Sequence, residues 1–363
     1  MTSQMPIRCS VMRGGTSKGL YFHAGDLPHD RPTRDAVLLA AVGAPDSREI
    51  DGMGGGDALT SKVAVIRRST RDDADVDYLF LQVWPDRAEV SDTQTCGNLL
   101  AGVGPFALEE GLVEASGDTT DVRIWMENTH SLAVANVQTP GGRVRYEGNT
   151  HIDGVPGTHA PIAIEFLDVA GSTCGSLLPT GHAVDVIDGI RVTCIDNGMP
   201  VVCLKAEEVG LSGYEEPFAI ETNLDVCELV ERLRLAAGPM MNLGDVTSAS
   251  VPKMCLLAPA QHGGAISTRE FIPKRVHDAI GVFGALSVAT ACLVPGSVAF
   301  EIAEHPTEHD VLNIEHPTGY FSVMLDVAVA DGEVEVKHAA LLRTARLLMR
   351  GDVFVPTSVW PDA

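Results

Sequence analysis

A chain of 363 residues, 45% hydrophobic and 21% charged, is globular in composition and long enough for about two domains. Its net charge of -23, from 49 acidic and 26 basic residues, repels nucleic acid and anionic membranes, so neither is expected as a partner. The opening MTSQMPIRCS has no apolar signal region and no apolar run of about 18 residues occurs, so a cytoplasmic location without a membrane span is expected. Eight cysteines lie scattered with no C-x-x-C pair, which fits reduced buried thiols better than disulfides or zinc.

From Ile7, IRCSVMRGGTSKGLYFHAGDLP reads as strand, turn, strand and acidic loop. Its MRGGTSKG sets Arg13, Thr16, Ser17 and Lys18 around two glycines. That is equally an anion nest and an ordinary tight hairpin. Next, DGMGGGDALTSKVAVIRRS places a loop with Gly52, Gly54, Gly55 and Gly56 before Lys62, which opens an apolar strand. Desolvation among Val63, Ala64 and Val65 favours the neutral amine, which can act as a base. A lysine at a strand edge can also snorkel to water. No G-K-[ST] follows the glycines, so this is not a P-loop.

In TQTCGNLLAGVG, Cys96 stands just before a long helix expected over 97–111, with Gly97 and Asn98 in its first turn. A thiol there meets unpaired N–H groups, which stabilise a thiolate, and the same groups can bind a carboxylate. A buried structural cysteine would look the same. GVGPFA at Gly102 is half a dinucleotide fingerprint, but it falls inside this helix and not between strand and helix. Further on, TREFIPKRVHDAIGVFGA sets Arg269, Lys274, Arg275 and His277 before a second helix expected near 284–293. These cations suit carboxylate binding or surface ion pairs equally. His305, His309 and His316 share a polar loop without regular ligand spacing, so no metal is expected.

Three blocks recur in the same order. IRVTCIDNGMPVVCLKAEEVG from Ile190 repeats the first hairpin, FGALSVATACLVPGSV from Phe283 repeats CGNLLAGVGPFALEEGLV, and LNIEHPT repeats VRIWMEN. The separation of about 185 residues is far too long for a solenoid. Two mixed α/β (α+β) halves follow, related by a pseudo-two-fold axis, each with a sheet wrapped around a central helix. Residues 1–150 would form the first and 151–344 the second, with GGRVRYEGNTHIDGVPG as junction and a strand at 345–363 returning to the first. In the repeat, Phe283 stands opposite Cys96, and Gly284 and Ala285 leave backbone N–H groups for an anion.

The pairing of CGN with a second Gly/Ala helix in a duplicated chain resembles the diaminopimelate epimerase fold. In that family two cysteines face each other across a cleft between the halves; here Phe283 replaces the second, so the two-thiol mechanism does not transfer. MRGGTSKG, LTSKVAVI, CGNLLAGVGPFA, LLPTGHAVD and NLGDV are similar to the methylaconitate isomerase branch. IDGMGGGDALTSKVAV, DVDYLFLQV, IDGVPGTHAPI, IDNGMPVV, SVATACL and LLRTARLLM look like its 4-oxalomesaconate tautomerases and isomerases, almost from end to end.

The resemblance implies catalysis by Lys62 and Cys96 in the cleft, with carboxylates held by Arg13, Thr16, Ser17, Lys18, Gly97, Asn98, Arg275, Gly284 and Ala285. Arg275 enters by counting eight residues back from Phe283, which puts Lys274 where the epimerases have glutamate. The implied substrate is 4-oxalomesaconate, an anionic tricarboxylate from catabolism of gallate, protocatechuate and lignin-derived aromatics. Keto–enol tautomerisation and 1,3-allylic isomerisation both fit, and neither needs a cofactor. A 2-methylaconitate or other polycarboxylate isomerase and a non-catalytic organic-acid binder are the alternatives. A homodimer is compatible with all of them.

Overall fold

The computed structural model describes residues 4–92, 96–167, 169–272, 274–304, 311–330 and 333–361. The chain divides into two units, one of residues 1–167 with 342–363 and one of residues 168–341. The first carries strands β1 (Gln4–Gly14), β2 (Ser17–His23), β3 (Lys62–Arg68), β4 (Val76–Val83), β5 (Val90–Ser91), β6 (Thr119–Met126), β7 (Ser131–Gln138) and β8 (Ile162–Phe166). Its helices are α1 (Arg31–Val42), α2 (Gly97–Leu100) and α3 (Val103–Glu109). The second unit holds β9 (Asp185–Ile187), β10 (Ile190–Asp196), β11 (Pro200–Lys205), β12 (Lys253–Ala258), β13 (Ile266–Phe271), β14 (Val311–His316), β15 (Gly319–Ala330) and most of β16 (Glu333–Arg343). Its helices are α4 (Pro217–Glu221), α5 (Leu224–Met240) and α6 (Val282–Leu293). Strand β17 (Ala345–Pro356) belongs to the first unit, antiparallel to β1.

The repeat is visible in the strand pairing. In the first unit β1 and β2 form a hairpin, β2 runs parallel to β3, β3 antiparallel to β4, β4 parallel to β6, and β6 antiparallel to β7. In the second, β10, β11, β12, β13, β14 and β15 repeat that series of hairpin, parallel, antiparallel, parallel and antiparallel contacts. The first unit runs past residue 150 because β8 adds to β7, which carries the chain to Leu167 before it leaves.

Side chains alternate between the faces of a strand, and these sheets are covered on both. On one face of the first unit, Ile7, Cys9, Val11, Leu20, Phe22, Val63, Val65, Leu81 and Val83 pack with Val37, Leu38, Ala41 and Val42 of α1. The residues between them, among them Met12, Tyr21, Ala64, Ile66, Tyr78 and Phe80, are buried on the other face, with α2 and α3. In the second unit α5 covers one face, and α6 is buried at every position from Gly284 to Cys292. A helix apolar all round is a core helix. Among the described residues no helix is long and apolar enough to cross a membrane.

The expected helix over 97–111 is two short ones. Pro105 has no N–H to continue the ladder from α2, and Pro is tolerated in the first turn of α3.

Candidate active site

Strand alternation aims Lys62 at the α2 face of the first unit, together with Ala64 and Ile66. Glu49, 2% exposed, fixes the chain just before it, accepting from the Gly56 N–H at 2.7 Å and the Ser61 hydroxyl at 2.6 Å. Gly54 packs so tightly on this carboxylate that a Cβ there would lie 2.0 Å from its Oε2, so part of the glycine run serves this buried acid. Gln82, opposite Lys62 across β3 and β4, donates to the carbonyls of Ala58, Ser61 and Val83.

The Lys62 amine is held by a hydroxyl and a thiol. Its Nζ donates to Ser17 Oγ at 3.1 Å and to Cys96 Sγ at 3.4 Å, and it lies 5.8 Å from the centre of the Phe80 ring. Lys62 and Cys96 are each 8% exposed. Cys96 is the N-cap of α2, with Sγ accepting the Leu99 N–H at 3.4 Å. Tyr21 pins the same turn by donating its hydroxyl to Leu99 O at 2.6 Å. Among the described residues no carboxylate comes within 4 Å of the amine, so this is no structural ion pair.

The hairpin turn rests on α2. Asn98 Oδ1 faces the Thr16 N–H at 3.5 Å, and a Cβ on Gly15 would lie 2.2 Å from that oxygen. Gly15 also sits at φ +52°. Gly15→Ala is therefore expected to cost about 1–2 kcal/mol in backbone strain alone and to lower the melting temperature by about 2–8 °C. A melting curve equal to that of the unsubstituted protein would show that turn and helix do not meet.

The remaining expected ligands divide. Ser17, Gly97 and Asn98 lie at the amine, the cap and the first turn; Thr16 is exposed at the hairpin tip. Lys18 leaves β2 on the face opposite Ser17. Arg13 reaches past the end of β1, donating from Nη1 to Gly15 O at 2.8 Å, Thr344 O at 3.0 Å and Thr344 Oγ1 at 3.0 Å.

Three residues expected to bind substrate from the second unit are found exposed or already engaged. Arg275 is a surface residue, with its side chain 79% exposed and 3.5 Å from Glu221. Arg269 is buried instead, bonded to the carbonyls of Glu215 and Thr268. Gly284 and Ala285 do not offer an open anion site. The Ala285 N–H bonds to Gly281 O at 2.8 Å, and the start of α6 is occupied by the protein's own Glu270. Its Oε2 accepts the Gly281 N–H at 2.9 Å, and a Cβ on Gly284 would lie 1.9 Å from its Oε1. Burial pushes the Glu270 carboxyl up to about 7, against the Gly281 N–H and nearby Lys253.

Lys253 is the residue the sequence could have revealed. It opens β12, parallel to β11, as Lys62 opens β3, parallel to β2. PKMCLL repeats the pattern of SKVAVI. Among the described residues no group of three His, Cys, Asp or Glu is placed to hold a metal ion; His305 and His309 lie outside them.

The duplicated α+β architecture is that of the diaminopimelate epimerase-like class. Within that class the chain belongs to the PrpF protein family, which it matches over residues 4–356. It is 61% identical to the (4E)-oxalomesaconate Delta-isomerase of Novosphingobium sp. strain KA1, covering 96% of this chain and 97% of that one. It is 56% identical to the 4-oxalomesaconate tautomerase of Pseudomonas putida, covering 98% of each. The solved structure of a methylitaconate delta-isomerase is similar at a TM-score of 0.87 and 35% identity, covering 99% of this chain and 97% of that one.

Proposed function

We propose that this protein is an isomerase that shifts a proton and a double bond in 4-oxalomesaconate, with Lys62 as base and Cys96 beside it. The contact of 3.4 Å between their functional atoms carries the reading. The names of two relatives at 61% and 56% identity supply the substrate. Lys62 removes a C–H proton made acidic by conjugation with the ketone and carboxylates. The electron pair spreads into a dienolate. The proton then returns from the lysine, or a second one comes from Cys96, at another carbon or at oxygen. Ser17 orients the amine. Thr16 and the backbone N–H groups of Gly97 and Asn98 would hold a carboxylate as charge grows on the substrate. Methylitaconate and methylaconitate isomerases among the relatives make other unsaturated polycarboxylates the second substrates to assay.

Proton NMR of synthetic 4-oxalomesaconate in deuterated water tests the reading and names the reaction. The expected result is catalytic conversion with deuterium entering at a new carbon for an allylic shift, or with loss of a C–H signal and no new C–D bond in the enol product for a tautomerisation. Binding with neither conversion nor exchange would make the protein an organic-acid binder.

A further inference from the structure

Strand β17 has a neighbour on one side only. It pairs with β1 from Gln4↔Pro356 to Gly14↔Ala345. Among the described residues no other strand pairs with it, and no backbone bond leaves its far edge. An unpaired edge is a template for another chain, and proteins usually blunt a long one with Lys, Pro, a bulge or a cover. β17 is 12 residues long and is blunted only towards its ends. Val11 lies opposite Met349 and Met12 opposite Leu347, so Leu348 is the extra residue of a bulge, and Pro356 comes last. Between them, residues 349–355 contain neither Pro nor Lys. Their one cation, Arg350, is held by its own chain, by Glu109 at 2.9 Å and Glu110 at 3.0 Å. Leu348 and Phe354 stand out from the strand, 46% and 58% exposed.

This edge is complementary to itself about Gly351. In an antiparallel pair of identical strands with the two-fold axis at Gly351, Arg350 lies opposite Asp352 of the second copy, and Asp352 opposite its Arg350. Met349 then lies opposite Val353, and Leu348 opposite Phe354. Met349 and Val353 both pack on the α1 side of the sheet, so that core would continue from one copy into the next. Arg350, Asp352 and Phe354 lie on the other face, and all three are exposed. No neighbouring register does this. An axis between two residues sets the buried side chains of one copy opposite the exposed ones of the other. An axis at Arg350 sets that arginine against itself, and one at Asp352 does the same with the aspartate. Like charges directly opposite are destabilising.

We propose that β17 is a dimer interface, in which two copies of this chain join edge to edge and antiparallel with the two-fold axis at Gly351. The contact uses the same patch on both copies and closes on itself, so it covers the edge without building a fibre. It is independent of the reaction assigned to Lys62.

The test is sedimentation velocity of the unsubstituted protein, with cysteine cross-linking to read the register. A dimer is expected. Gly351→Cys puts a thiol on the axis, and a Cβ there meets only Met349 Sδ, at 3.5 Å, so the strand accepts it. The Cβ atoms of the two copies would lie about 4.5–5.5 Å apart, and a short bis-maleimide should join them. In Pro356→Cys the two thiols would stand about 34 Å apart, out of its reach. The unsubstituted protein controls for its own eight thiols, of which only Cys227 is not buried. Asp352→Arg combined with Phe354→Lys is expected to raise the dimer dissociation constant by about 10-fold or more, since the axis counts each change twice. Both residues are exposed, and the cross-linking stands even if this double variant folds poorly. A protein that stays monomeric from about 1 to 100 µM overturns the interface. So does a dimer that Gly351→Cys does not cross-link, one that Pro356→Cys cross-links equally well, or one that the folded double variant holds as tightly as before.

Discussion

Lys62→Met is expected to lower kcat by about 10³-fold while the protein stays folded, because it deletes a base and little else. Among the described residues the amine touches the Ser17 hydroxyl and the Cys96 thiol, with the Phe80 ring nearby. Breaking a buried ion pair would cost several kcal/mol through the stranded partner, but neither neighbour here is a carboxylate. Methionine matches the stem of lysine in length and flexibility, so packing against Phe80 is kept and the change in stability should stay below about 1.5 kcal/mol. Urea unfolding of the variant separates the two effects. A variant that unfolds like the unsubstituted protein and turns over at near its rate would remove the lysine from the mechanism.

Cys96→Ser belongs in the same experiment. Serine is a better helix N-cap than cysteine, and its hydroxyl can accept the Leu99 N–H that the thiol accepts now. The first turn of α2 should therefore hold, and any loss of rate reports the thiol itself. A rate equal to that of the unsubstituted protein leaves the proton with Lys62 alone.

How far the chain could be read from its sequence differs between the two units. In the first, alternation along KVAVI fixes which face Lys62 takes, and the N-cap position of Cys96 follows from a short turn of local sequence. Both are short-range facts. The break after α2 was also legible, since Pro105 stands in plain view. In the second unit the spacing argument for Arg275 assumed an unchanged path from β13 to α6, and the residue stands exposed beside Glu221. The Glu270 side chain bonds instead to Gly281, eleven residues on, and fills the helix start itself. Nothing local to TREF announces that contact. The pairing of β7 with β8, which moves the boundary to Leu167, is likewise a long-range choice among similar strands. That Arg13 lies opposite Arg346 of β17 depends on the register of a strand more than 330 positions away.

Glu270→Gln is expected to remove a pH dependence of stability from the second unit. Glu270 is 2% exposed, and burial raises its carboxyl from the ordinary 4.5 to about 7. Below pH 4.5 the group is protonated whether the chain is folded or not, and it adds no slope. Between about 4.5 and 7 the folded chain keeps a proton that the unfolded chain has released, so stability falls as pH rises through this window. Above 7 both states are ionised and the loss is complete. At about 1.4 kcal/mol for each pH unit, the total is about 3 kcal/mol. Glutamine cannot ionise, and its Oε1 can still accept the Gly281 N–H, so the cap on α6 survives. Lys253 would lose an anionic neighbour above pH 7, and it is half-buried with a pKa already lowered by burial; this offsets part of the gain. The measurement is the unfolding free energy of both proteins at pH 5 and pH 8. The variant should gain on the unsubstituted protein between those values, by up to about 3 kcal/mol. A difference that is the same at both pH values would mean that Glu270 is ionised in the fold as readily as in water, and that Oε1 has a partner.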